Sequence, residues 1–202
     1  MNTTIPSNNV WHMDLRCVSI LFTAIMLLVF PVSYGQNTAG NWKQEADASL
    51  QQFLNCVSTS ADKSQCSVYI GEAIARIYKL NNLYSEKEGR YLMIKEMSKS
   101  MGEHGEWKLL GHAYEQNVLA EAQEYANANK AVIAVYKTAA GVGHIAVILP
   151  GNLQYSGSWG FNVPNSASFS SNEPDKSYAG KGLSYAFTKN MIKDVELYSS
   201  AY

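Results

Sequence analysis

Of the three cysteines and four histidines in the 202-residue sequence, Cys66 and His144 stand where covalent chemistry could be carried out. Cys66 stands in Ser64-Gln65-Cys66-Ser67-Val68-Tyr69-Ile70, just where Ile70, Ile74, Ile77 and Tyr78 begin to repeat at helical spacing. A cysteine at a helix start meets unpaired backbone N–H groups and the positive end of the helix dipole, which favour thiolate over thiol. His144 follows Gly143 and opens the apolar run His144 to Leu149, which puts its ring at a strand end. A thiolate beside an imidazole suits acyl transfer, with the ring as general base and then as proton donor to the leaving amine. Plainer roles compete. Cys56 lies ten residues before Cys66, and a disulfide closing that loop would contribute about 2–3 kcal/mol. A lone histidine at a strand end is more often structural than catalytic.

The elements that must position these residues change character midway. Trp42, Ala46, Leu50, Phe53, Leu54 and Val57 share one helical face, and a polar stretch, Ser58 to Gln65, separates them from the Cys66 helix. Ser85 with Glu88 has the capping-box pattern and predicts a third helix to about Lys99. A fourth is expected over Asn117 to Ala128. Beyond it come β-branched apolar runs, Ala131 to Tyr136 and His144 to Leu149, with Leu153 to Ser158 as a hairpin partner. Gly157 through Ser171 reads as a long loop, and short strands are expected near Leu183 to Phe187 and Asp194 to Tyr198. Helices first and neighbouring antiparallel strands afterwards argue for an α+β class.

The first 35 residues read as an export signal. Arg16 precedes the apolar run Cys17 to Phe30, which is too short to span a bilayer but suits a leader core. Ser33-Tyr34-Gly35 then offers small residues for cleavage before Gln36, leaving 36–202 as one domain in the periplasm or outside the cell. No stable membrane insertion is expected after cleavage. With 16 basic and 17 acidic residues and a net charge of -1, the chain has no electrostatic footprint for nucleic acid.

Gln65-Cys66-Ser67-Val68-Tyr69-Ile70 resembles the nucleophile motif of CHAP domains (cysteine, histidine-dependent amidohydrolases/peptidases), and Gly143-His144-Ile145-Ala146-Val147-Ile148 resembles their Gly-His-Val-Ala strand. NlpC-type hydrolases share this papain-like core. The resemblance covers roughly Asp62 to Phe169. It implies N-terminal helices packed on a small antiparallel sheet, and cleavage of amide bonds in peptidoglycan stem peptides through a thioester on Cys66. It makes His144 the base, and the Cys66 N–H with Gln65 the oxyanion donors. No metal or other cofactor is required. The family places a glutamate or asparagine on the next strand to orient the imidazole. Tyr155 to Gly160 has neither, so Ser156, Ser158, Asn162 and Asn165 are the candidates, with Asn165 favoured. Ser156, Ser158 and Trp159 are expected to line a substrate groove; Asp62 either binds a substrate amine or caps the helix.

His104 and His112, with Glu103, Glu106 and Glu115, match no zinc-site spacing and read as a polar connection. The alternative to an enzyme is an exported binding or inhibitory protein in which Cys56 and Cys66 are disulfide-linked. Counting free thiols separates the two.

Overall fold

Why the chain folds into its elements is clearest at α1 (Trp42–Thr59), whose buried Ala46, Ser49, Phe53 and Val57 recur every three or four residues. The computed structural model describes Met1 and residues 41–103, 105–139 and 141–201. The leader, its cleavage point and His104 therefore lie outside the described residues. The chain divides into units 1–36 and 37–202, and every element here belongs to the second.

After α1, a 3-10 turn over Lys63–Ser67 leads into α2 (Val68–Tyr78), buried along Ile70, Ile74, Ile77 and Tyr78. The expected helix from Ser85 does not form. Ser85 Oγ does accept the Glu88 N–H at 3.2 Å, but Gly89 turns the chain at φ 63°. The strands β1 (Tyr84–Ser85) and β2 (Arg90–Tyr91) pair there instead. Helix α3 (Ile94–Glu103) starts nine residues later than Ser85. Its capping carboxylate is Glu96, which accepts the Met93 N–H at 2.8 Å and clasps Arg90 through bonds of 2.7 and 2.9 Å. The Arg90 hydrogen bonds are the main cause that brings the Glu96 pKa down to about 2.

The main sheet has six antiparallel strands in the order β3-β10-β4-β5-β8-β9. They span Trp107–His112 (β3), Val132–Thr138 (β4), Gly141–Ile148 (β5), Asn165–Ser168 (β8), Tyr178–Gly182 (β9) and Val195–Ser200 (β10). Helix α4 (Gln116–Asn127) connects β3 to β4. The α+β class with antiparallel strands is thus what the chain adopts. Four local expectations change. Residues 107–112 are a strand, not a polar connection. The return strand β6 (Gln154–Ser156) pairs with β7 (Phe161–Val163) and not with β5. The long loop contains both β7 and β8. Near 183–187 the chain forms a 3-10 turn, Leu183–Tyr185, because the strand comes just before it.

Register and alternation sort the side chains onto two faces. Leu197, Ala134, Ala146, Ser168 and Tyr178 are directly opposed across β10, β4, β5, β8 and β9 and share one face with His144. Helix α4 covers part of that face: a Cβ on Gly111, paired with Leu197, would lie 2.6 Å from Val118 Cγ2, so the close approach requires glycine. The opposite face carries Ile133, Val135, Ile145, Val147 and Ala167, all buried. Phe169, one residue past Ser168, continues that second face and stacks on Phe53 of α1 with ring centroids 5.3 Å apart. α1 also touches β9, and α2 packs alongside α1.

Candidate functional site

Cys66 lies in the turn that opens α2, is fully buried, and is disulfide-bonded to Cys56 with the Cα atoms 5.8 Å apart. In this state it has no thiol to ionise, so it is not available as a nucleophile. The cause is local. α1 ends at Thr59, and the short return through Asp62 brings the two cysteines side by side. Asp62 spends its carboxylate on that return, accepting from Ser64 N at 3.0 Å and from Ser64 Oγ at 2.6 Å. These bonds hold its pKa below the usual value. The Gln65 side chain turns to Asp62 as well, its Nε2 lying 3.4 Å from Oδ2. Asp62 is thus a cap, and the Gln65 side chain is engaged with it.

His144 projects from the face of the sheet that also carries Ala146 and Ser168. Its Nε2 lies 2.7 Å from Ser168 Oγ, and the Phe187 ring meets it edge-on at 5.5 Å. Desolvation pulls its pKa down to about 4, so the ring is neutral at pH 7, with one nitrogen donating and the other accepting. The two expected partners are each engaged elsewhere: the Cys66 sulfur is bonded to Cys56, and the His144 imidazole is paired with Ser168. Ser168 and His144 share one face of the sheet, while Phe169 stacks on Phe53 of α1.

Asn165 does not orient His144 either. It lies three residues before Ser168 on β8, about 10 Å along an extended chain. Its amide donates to Pro150 O at 2.9 Å, and its backbone N–H donates to Gln123 Oε1 at 2.8 Å. The residue that meets the imidazole is Ser168. The sequence carried a signal for it only through register, because Ser168 pairs with Ala146, two residues along from His144.

The His144–Ser168 pair opens into a cleft of about 380 Å³. Tyr136 and Phe187 give it apolar walls, Ser170 and Asn172 add polar groups, and Glu173 and Lys176 form an ion pair within its lining. A second cavity of about 320 Å³ adjoins it, sharing Ser184 and Tyr185. Ser156 and Ser158 line this second cavity. Trp159 does not: it is 2 % exposed, and its indole N–H donates to Phe187 O at 3.0 Å. It anchors the hairpin in the core.

Among the described residues no group of three or more His, Cys, Asp or Glu side chains is placed to hold a metal. None of the described helices is long and apolar enough to cross a membrane. No family model matches the sequence, and no curated protein is significantly similar to it.

Proposed function

We propose that the protein is an exported binding protein, stapled by the Cys56–Cys66 disulfide, that seats the peptide part of the bacterial cell wall in the His144–Ser168 cleft without cleaving it. The observation that carries this reading is the disulfide itself, which removes the thiol that the hydrolytic role needs. The cleft supports it with the ingredients of a small-molecule site, apolar walls and a few convergent polar groups. Ser168, Ser170 and Asn172 can bond to peptide amides, and Glu173 and Lys176 offer one charge of each sign to a zwitterionic stem peptide.

A second reading keeps the papain-like amidase, with Cys66 as nucleophile and His144 as base. One observation favours it: Cys66 sits in the turn that leads into α2, the position that the nucleophile motif gives its cysteine. It requires an open disulfide and an imidazole released from Ser168.

One experiment separates them. Purified wild-type protein and the Cys66→Ala variant are incubated with sacculi, with and without reductant, and both the bound protein and the released muropeptides are measured. Binding by both proteins with no new peptide products is the expected result. Cleavage products from reduced wild type alone would overturn the binding reading and, by mass, identify the bond cut.

A further inference from the structure

The cavity beside the His144 cleft differs from it in charge. Every residue lining it is uncharged at neutral pH, and hydroxyl, amide and aromatic groups predominate: Gln154, Ser156, Ser158, Ser184, Tyr155 and Tyr185. The two tyrosines are the molecule's largest exposed aromatic surfaces among the described residues, at 74 % for Tyr155 and 65 % for Tyr185. We infer that this cavity is a subsite for a neutral sugar ring. This deepens the binding reading by adding a glycan contact to a peptide one, but it does not depend on the His144 cleft being occupied.

Three features make this surface suited to a sugar. An aromatic face carries negative charge density that attracts the weakly positive C–H face of a pyranose, while its edge leaves the hydroxyls free for other partners. Those partners are present and oriented. Ser156 Oγ lies 3.1 Å from Ser158 Oγ and accepts the Trp159 N–H at 3.3 Å, and the Gln154 amide makes only a long contact, 3.5 Å, to Asn165 Oδ1. The absence of charge along the lining removes the pairing that a zwitterionic peptide terminus would need.

The platform is also fixed before any ligand arrives, which lowers the ordering cost of binding. Gly160 N donates to Ser156 O at 2.8 Å and closes the hairpin turn. Gln116 on α4 clamps the outer strand, donating to Asn162 O at 2.9 Å and accepting from Asn162 N at 2.8 Å. Tyr185 is held on one face by Lys181 Nζ, which sits over the ring 5.1 Å from its centroid, and it meets Tyr178 in a T-shaped contact at 6.0 Å, leaving the second face for a ligand.

The test titrates the full protein with chitotetraose and with cellotetraose, followed by calorimetry and tyrosine-ring NMR. At least one oligosaccharide is expected to bind saturably, with affinity falling tenfold or more in both Tyr155→Ala and Tyr185→Ala. Lys108→Ala, at an exposed position on the far edge strand β3, should change it by less than twofold. Tyr155→Phe, which keeps the ring, should retain binding and guards against a folding artefact. No saturable binding of either sugar to folded wild type would overturn the inference, as would binding that survives loss of both tyrosines. Sugar binding without stem-peptide binding would sink the peptide reading and leave this one standing.

Discussion

The disulfide corner and the His144 cleft hold the two residue types that in sequence look like partners, and they engage them in different ways. At the corner, Cys66 is buried beside Cys56 and makes covalent structure. At the cleft, His144 is neutral, bonded to Ser168 and open to a cavity. The comparison teaches that alternation along a strand is decisive. Moving one position along β8, from Ser168 to Phe169, changes the surroundings from cleft to core.

If the two sides are independent, damage to one should be silent at the other. The largest effect is expected from Phe53→Ala, which removes the ring stacked on Phe169 and costs about 3–5 kcal/mol in chemical denaturation. His144 ring signals should stay in place under native conditions, and their displacement would mean the faces communicate. Replacing both Cys56 and Cys66 by serine comes next, at about 2–3 kcal/mol for the lost ten-residue loop constraint. A loss of cleft binding in that folded variant would break the comparison and revive the cysteine chemistry.

The last effect, no larger than that of the disulfide, is specific to the His144 side and appears as a pH dependence. Its folded pKa, about 4, lies below the ordinary histidine value of 6.5. The unfolded chain therefore takes up a proton in that window while the folded ring does not, and stability falls as pH drops from 6.5 towards 4, by roughly 2–3 kcal/mol. The Glu173–Lys176 pair also lines the cleft. Urea midpoints measured across this range for wild type and His144→Gln should converge at low pH. Parallel curves would show that the ring is not buried neutral.

How much was legible follows from where each element stores its information. α1 and α2 carry their burial in a helical apolar period, β4 and β5 in unbroken β-branched apolar runs, and these patterns place them to within a few residues. β8 does not. Its Asn-Ser-Ala-Ser run is wholly buried, yet the partners that satisfy it lie on other strands. Ser166 Oγ lies 2.8 Å from Tyr178 OH, and Ser168 reaches His144. Small hydroxyl residues in a row look like a loop until register is known. The same applies to the site. Ser156 and Ser158 line a cavity, but Ser168 could not be chosen over Asn165 without the β5–β8 pairing. The cysteine pair was open between two chemistries, since spacing permits a bridge without demanding one.

The bond from Trp159 to Phe187 gives the molecule an internal optical reporter. The indole is enclosed, its N–H is tied to the carbonyl of Phe187, and the Phe187 ring leans on His144. The hairpin bordering one cavity is thereby joined to the segment covering the other. A ligand that shifts the 183–187 segment must stretch or break that link, moving the indole's emission towards the red without any added label.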